Sequence, residues 1–433
     1  MRQYFDFAGH GTSYRAEIRG GIATFLTMAY IIVVNPAILE GAGLPREASI
    51  TATIISAAFG TLIMGVYAKR PFAIAPYMGE NAFIVFTVVK GMGFPWQTAL
   101  GAIFLAGVAF TLLTVFRVRS WLANALPMSL KHSFAIGIGL FLAFIGLNQI
   151  GVVALGVPGA PVALGKLNSP TTLLALAGFL LTAWLLAKRV TGALLLGIVA
   201  TTIASVAIGV TPLPTAVMSA PPSLAPIFGQ LDIAGALTIQ ALPVVVIVFV
   251  MAFVDTIGTL IGLSSRAGLL DANGNLPDIE KPMLADALAN MFAPVVGTTT
   301  TGAFIESAVG IEEGGRTGFT ALVVAALFVL SLAFAPLFTA IPAHASGVAL
   351  VTIGLLMVGP IASLAVDDPT EWIPAVLTIV LMSFTFNIGV GMTAGLLLHP
   401  VLKLLTGRGR EVPAPMWLLA AMSLVFYLVY PYH

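Results

Sequence analysis

Apolar runs, each about as long as a bilayer is thick, follow one another along this chain with short polar breaks between them. Hydropathy read together with the Gly, Pro and Asn breakers predicts about fourteen membrane segments, helical where they span. In the first half they lie near Gly20–Glu40, Ile50–Ala68, Phe72–Val89, Gln97–Phe116, Leu130–Val153, Thr171–Ala187 and Thr191–Gly209. A Pro-rich stretch, Thr211 to Pro226, separates them from the second half. There the segments lie near Ala236–Leu263, Pro282–Val296, Thr299–Ile311, Gly318–Leu337, Ala345–Ser363, Trp372–Asn387 and Gly389–Leu405. Met416 to Tyr430 is one more apolar stretch, short for a span and suited to partial insertion or to the interface. Met1 to Gly20 is polar, carries Asp6 and Glu17, and reads as a leader rather than a cleavable signal.

Two segments break the helical pattern. The third opens Pro71-Phe-Ala-Ile-Ala-Pro76-Tyr-Met-Gly79-Glu80-Asn81, and the tenth opens Pro294-Val-Val-Gly297-Thr-Thr-Thr-Thr301-Gly302. Each predicts an extended piece leading into a short helix. Extended backbone at membrane depth needs protein or a watery cavity around it, because lipid cannot satisfy its N–H and C=O groups. Such segments at matching places in two halves point to a midplane binding site, with helix N-termini offering free N–H donors to a ligand. Two ordinary kinked helices are the plainer alternative.

The matching of halves rests on two tripeptides. Met28-Ala29-Tyr30 returns as Met251-Ala252-Phe253, and Ala82-Phe83-Ile84 returns as Ala303-Phe304-Ile305. Both returns come about 220 residues downstream, as an internal duplication requires. Seven segments per half is odd, so the second half enters from the opposite side and the repeats are inverted. Ala29 is then expected over Ala252, and Ala82 over Ala303.

Composition fixes the class. The 433 residues are 59% hydrophobic and 9% charged, with a mean hydropathy of +1.04. That describes a polytopic membrane protein whose main partner is the lipid bilayer. A formal net charge of +1 without a basic cluster gives no support for nucleic acid. The chain has no cysteine, which excludes disulfides, thiolate metal sites and a Cys nucleophile. With the N-terminus inside, sixteen of the nineteen Lys and Arg fall in inner loops, Arg117 and Arg119 among them. Arg46, Lys90 and Lys166 are the three outside. This positive-inside bias supports both the segmentation and an N-terminus in the cytoplasm.

Candidate chemistry is sparse and therefore visible. Asp255 interrupts the eighth segment, and Glu306 starts the short helix of the tenth. Ionisable groups at membrane depth are costly and are usually kept for a substrate or ion. A buried carboxyl takes up a proton easily, which suits Asp255 and Glu306 to proton coupling. The plainer reading of Asp255 is a structural aspartate bonded to Thr256, Thr259 or a neighbouring helix; that of Glu306 is a carboxylate complementing a helix dipole. Asn81 can donate and accept, so it suits the edge of a heterocycle. Glu80 could face the cavity or a partner cation, and both readings stand. Phe83, Phe253 and Phe304 are candidates to stack on a flat ligand, although helical aromatics more often only pack. Gly258-Thr-Leu-Ile-Gly262 and Gly391-Met-Thr-Ala-Gly395 fit helix packing, and Glu312 to Gly318 fits a solvated loop. His132, His344 and His399 have no metal-ligand spacing, and no Walker A, GxSxG or HExxH motif occurs. Neither an enzyme nor a cofactor is expected.

At these residues the chain resembles the AzgA-like purine permeases, a branch of the nucleobase:cation symporter-2 superfamily. The stretches that carry the resemblance are Phe25 to Pro36, Pro71 to Pro76, Asn81-Ala-Phe83, Asp255-Thr-Ile-Gly-Thr259, Arg266 to Asp271, Ile305-Glu-Ser-Ala308 and Glu313-Gly-Gly-Arg-Thr-Gly318. One position departs: the family's Gly-Leu-Asn is Gly79-Glu80-Asn81 here. The resemblance implies short strands in segments three and ten crossing near the substrate, with Asp255 and Glu306 as binding carboxylates and Asn81 beside them. It further implies a core domain, 20–116 with 236–337, and a gate domain, 117–210 with 338–410. Residues 1–19, 211–235 and 411–433 are then leader, linker and C-terminal segment. The expected activity is proton-coupled import of guanine, hypoxanthine or adenine across the cytoplasmic membrane. Glu306, Asp255, Asn81, Glu80, Phe83, Phe253, Phe304 and Ala303 are the residues expected near the base. An anion channel or exchanger on the same plan, and a uracil or xanthine permease, are the alternatives. A homodimer is a candidate assembly.

Overall fold

The computed structural model describes residues 1–116, 126–157, 160–214, 216–270 and 276–429. Arg117, Arg119, Asp271 and Tyr430, which entered the sequence reading, lie outside the described residues. The first half contains α1 (Tyr14–Met28), α2 (Ile31–Leu39), α3 (Arg46–Val66), β1 (Ile74–Pro76), α4 (Met78–Ala82), α5 (Trp96–Val115), α6 (Met128–Gln149), β2 (Val153–Val157), β3 (Ala160–Leu164), α7 (Pro170–Ala187) and α8 (Ala193–Ala207). The second contains α9 (Ile233–Ala236), α10 (Leu242–Arg266), α11 (Glu280–Val296), β4 (Thr301–Ala303), α12 (Ser307–Glu312), α13 (Gly318–Ser331), α14 (Ala335–Thr339), α15 (Ala343–Leu356), α16 (Pro369–Phe384), α17 (Ile388–Leu405) and α18 (Ala414–Val429).

Among the described residues, nine helical stretches are long and apolar enough to cross a membrane, and three shorter apolar helices accompany them. The protein is a multi-pass membrane protein. Its helices sort into two packed groups, as a core and a gate would. In one, α1, α3, α5, α10, α11 and α13 pack on one another and on β1 and β4; in the other, α6, α7, α8, α15, α16 and α17 do. Large apolar side chains on the outer faces, such as Leu112, Leu180, Trp184 and Leu405, are left exposed as lipid contact requires.

Two local details differ from the sequence expectation. A β2–β3 hairpin stands where a plain loop was expected after α6, its strands antiparallel with Val153 opposite Leu164. The polar leader ends earlier than expected, because Ser13 caps α1 by accepting from the Ala16 N–H. Glu17 is consequently buried. Its carboxylate accepts from the Thr317 hydroxyl at 2.9 Å, the Thr320 hydroxyl at 2.6 Å and the backbone N–H groups of Arg316, Thr317 and Thr320 at 3.1 to 3.3 Å. One acid from α1 thus satisfies the open N-terminus of α13. The Glu312–Gly318 loop is only partly solvated. Arg19 reaches Glu313 and Arg266 pairs with Glu312 at 2.7 Å. These contacts fix α12 against α1 and α10. A Cβ on Gly310 would stand 2.3 Å from the Gly20 carbonyl oxygen, so the α1–α12 crossing tolerates no side chain there.

In the second group, Lys403 is buried and pairs with Glu371 at 2.9 Å and Glu411 at 3.1 Å, while Arg408 pairs with Asp368 at 2.7 Å. Hydrogen bonds from Thr370 and from the Arg408 guanidinium hold the Asp368 carboxyl well below the usual carboxylate range. The start of α16 and the end of α17 are locked together.

Candidate functional site

The third and tenth segments cross as two extended pieces. β1 and β4 run antiparallel, with Ile74 opposite Ala303, Ala75 opposite Gly302 and Pro76 opposite Thr301. Pro71, Pro76 and Gly297 keep these stretches from closing into helices. Protein groups take up several of their backbone N–H groups. Tyr77 N–H donates to the Thr300 carbonyl and Phe304 N–H to the Ala73 carbonyl, both at 2.9 Å. Ala73 N–H donates to Ser307 Oγ at 3.0 Å, Ile74 N–H to Thr61 Oγ1 at 2.9 Å and Thr301 N–H to Asn290 Oδ1 at 2.9 Å. This meets the demand that irregular backbone at membrane depth be enclosed by protein.

Each strand runs into a short helix, α4 or α12. The duplicated tripeptides do not mark equivalent places in this crossing. Ala82 lies within a helix that continues as a π-helix over Phe83–Gly91 whereas Ala303 ends a strand, and Ala29 sits at the break between α1 and α2 whereas Ala252 lies inside the unbroken α10. Strand pairing, which needs free N–H and C=O groups facing one another, sets a different correspondence from the one the tripeptides suggest.

Glu306 stands at the N-cap of α12, half-buried, and accepts a 2.6 Å hydrogen bond from the Tyr30 hydroxyl. Tyr30 is itself buried at the α1–α2 break. Replacing it with Phe removes a donor to a charged acceptor, a contact of about 1.5–3 kcal/mol. Tyr30→Phe is expected to lower uptake about tenfold or more with little change in expression; an unaltered initial rate would deny Tyr30 this part.

Asp255 lies on α10, partly exposed. It faces the Glu80 carboxyl from α4 within hydrogen-bonding reach. Glu80 is fully buried, and neither of its oxygens has a hydrogen-bond donor among the described residues. The open question about Glu80 is therefore answered: its neighbours are acids. Thr256 does not bond Asp255; its hydroxyl donates to Asp286 of α11. The Tyr77 hydroxyl donates to the Ala303 carbonyl at 3.3 Å and lies near Asp255, Asp286 and Glu80.

Asn81 is buried and engaged. Its amide donates to Asn35, its carbonyl accepts from the Thr299 hydroxyl, and Asn35 in turn donates to Thr53 at 2.7 Å and Thr298 at 3.0 Å. This net ties segments one, two, three and ten together.

The three phenylalanines separate. Phe304 lies parallel to the Tyr77 ring, at 6.1 Å between centroids and 10° between planes. Phe253 packs edge-on to Phe110 at 5.6 Å, in the core cluster that also holds Ile74 of β1 and Ala303 of β4, and Phe83 packs beside Gly389 of α17. Of the glycine pairs, Gly391 and Gly395 press on α16 as expected. Gly258 and Gly262 do not pack: no atom lies within 4 Å of a Cβ built on Gly258, and only Ile305 Cδ1, at 3.9 Å, approaches Gly262. They follow Asp255 on the same face of α10, and Ile305 opposite is 53% exposed. The face that carries Asp255 opens onto free space. Among the described residues no group of three acids, histidines or cysteines has the geometry to hold a metal ion.

Tyr30, Asn35, Tyr77 and Asp286 escaped the sequence reading. The first three sit in quoted stretches as ordinary apolar or motif residues, and Asp286 sits near the start of the predicted segment Pro282–Val296.

Comparison with known proteins agrees with this geometry. A family model described as a permease family, that of the xanthine and uracil permeases, matches residues 15–394. The chain is 45% identical over 432 residues to a putative permease of Methanocaldococcus jannaschii, covering 100% of this chain and 98% of that one. It is 38% identical over 430 residues to the adenine permease AdeP of Escherichia coli, covering 99% and 96%. It is 36% identical over 439 residues to the guanine/hypoxanthine permease PbuG of Bacillus subtilis, covering 99% of each. Among solved structures, the transmembrane domain of the cyanobacterial bicarbonate transporter BicA superposes with a TM-score of 0.66 at 16% identity, over 88% of this chain and 97% of that one. That likeness establishes the fold alone. Matched along nearly its whole length to permeases, this multi-pass chain is a membrane transport protein and not an enzyme: it belongs to the xanthine/uracil permease family.

Proposed function

We propose that this permease imports a purine base, guanine, hypoxanthine or adenine, together with a proton, across the cytoplasmic membrane. The observation that carries the reading is the strand crossing flanked by Glu306 and Asp255, in a chain whose full-length relatives include adenine and guanine/hypoxanthine permeases. A purine offers ring N–H donors and ring nitrogen or oxygen acceptors along one flat edge. Glu306 accepts from the N–H groups; the N–H groups of Ser307, Ala308 and Val309, which open α12, donate instead to the Phe304, Ile305 and Glu306 carbonyls. Phe304 and Tyr77 supply parallel apolar faces for the ring. Asn81 acts by holding segments one, three and ten in register.

The two halves are inverted seven-segment repeats, and the helix group around β1 and β4 is the core that moves against the gate. The antiparallel pairing of β1 with β4, each leading into a short helix, supports the inversion. The charge bias of the loops supports a cytoplasmic N-terminus.

The open face of α10 is the route to the site, because a carboxylate facing lipid would be too costly. A Cβ at Gly258 meets no atom within 4 Å, so a side chain can start there without a clash. Gly258→Phe is expected to fold normally and to lower uptake by about tenfold or more, as obstruction of a ligand path does. Wild-type uptake in that variant would place the route elsewhere. The reading as a whole is tested by uptake of labelled hypoxanthine in cells lacking their own base permeases, competed by guanine, adenine, xanthine and uracil. Competition by purine bases supports it, and competition by uracil alone overturns it.

A further inference from the structure

Three helices bring their acids to one place. Glu80 comes from α4, Asp255 from α10 and Asp286 from α11, and each lies within electrostatic reach of the other two. Tyr77, between β1 and α4, faces all three. None of the groups acting on these acids is a lysine, arginine or histidine.

The hydrogen-bond inventory is the second observation. Both oxygens of Glu80 and Oδ1 of Asp286 are buried with no donor among the described residues, and the other oxygen of Asp286 has only the Thr256 hydroxyl. A buried carboxylate without donors or a cation carries a large desolvation penalty, and three of them side by side repel one another. Two carboxyl groups facing each other, as Glu80 and Asp255 do, can bond only if one of them carries a proton. Protons are the one ligand small enough to relieve all three, and the metal alternative lacks the geometry.

We propose that Glu80, Asp255 and Asp286 form one exchangeable proton store, distinct from Glu306, with Asp286 as its inner member. The inference rests on the proton-coupled reading above for its role in transport, but not for its existence. A proton from water at the open face of α10 adds to the Asp255 carboxylate and is shared with Glu80; Tyr77 lies near all three acids, and Thr256, next to Asp255 in the chain, donates to Asp286. No covalent bond to the base forms or breaks, and the proton leaves by the same groups to the other side. The link to the base runs through β4. The Tyr77 hydroxyl holds the Ala303 carbonyl, and Asn290, one helical turn after Asp286, holds the Thr301 N–H. A change in proton occupancy is thereby felt three residues before Glu306.

The test is infrared spectroscopy of the purified protein at neutral pH, in light and heavy water, for the wild type, Asp286→Asn and Glu80→Gln. Each variant is first checked for a single monodisperse species. The proposal expects protonated-carboxyl absorption that shifts in heavy water, and a loss of part of it in each variant. Two variants on different elements guard against a folding failure in one. Identical carboxyl absorption in all three proteins overturns the store. In proteoliposomes, Asp286→Asn is expected to keep base counterflow within about twofold and to lose about tenfold or more of its uncoupler-sensitive accumulation. Retained accumulation in that variant overturns its part in coupling. Wild-type accumulation indifferent to an uncoupler, with the carboxyl bands still lost in the variants, would refute proton symport and leave the store standing.

Discussion

Glu306→Gln is expected to abolish uptake, by about 100-fold or more, in a protein that still folds and reaches the membrane. Glutamine matches glutamate in shape, and its amide oxygen can still accept from the Tyr30 hydroxyl that bonds Glu306 at 2.6 Å. The local fold therefore has no reason to fail. What disappears is an acceptor that takes two N–H groups from a base, together with its charge. A hydrogen bond to a charged group contributes about 1.5–3 kcal/mol, and a neutral amide that presents its own N–H to a ring N–H repels it. Initial rates of hypoxanthine uptake, normalised to the amount of protein in the membrane, check this. Unchanged uptake at normal expression would remove Glu306 from the site.

Gly302→Ala is expected to be equally damaging for a different reason. A Cβ at residue 302 would stand 2.2 Å from two ring carbons of Tyr77 and from its hydroxyl oxygen. That ring is buried, and it is held by the Ala303 carbonyl on one side and Phe304 on the other. Neither partner can retreat without parting β1 from β4. Overpacking of this kind costs about 1–3 kcal/mol. Here it also displaces the strand that leads to Glu306. Both the thermal stability of the purified protein and its uptake should fall. A variant with wild-type melting and wild-type uptake would show that the crossing is not the rigid element described here.

Much of this arrangement is legible in the chain because charge stands out against apolar surroundings. Asp255 and Glu306 are visible as acids inside apolar runs, and the two broken segments are visible through Pro71, Pro76, Gly297 and the threonines after it. Their crossing followed from resemblance rather than from periodicity, since three-residue strands are too short to show an alternation. Asp286 lies within the predicted segment Pro282–Val296 but is not singled out there as a candidate acid. Its importance lies in a contact with Thr256 on another helix, and no spacing along the chain encodes that. Glu17 was missed as well. Its polar surroundings suggested solvent, whereas its carboxylate is buried against the N-terminus of α13. Tyr30 and Tyr77 read as apolar residues, because a hydroxyl acts only where a partner from elsewhere in the fold meets it. The tripeptides that suggested a repeat occupy different local structure, so they do not mark structurally equivalent places.

The most direct test of the account is accumulation by the purified protein in proteoliposomes under an imposed proton gradient, acidic outside. Labelled hypoxanthine, guanine and adenine are offered in turn, with uracil and bicarbonate beside them. The account predicts that at least one purine base concentrates inside the vesicles, that an uncoupler abolishes the concentration, and that bicarbonate neither enters nor competes. Bicarbonate flux without accumulation of any purine base would contradict it.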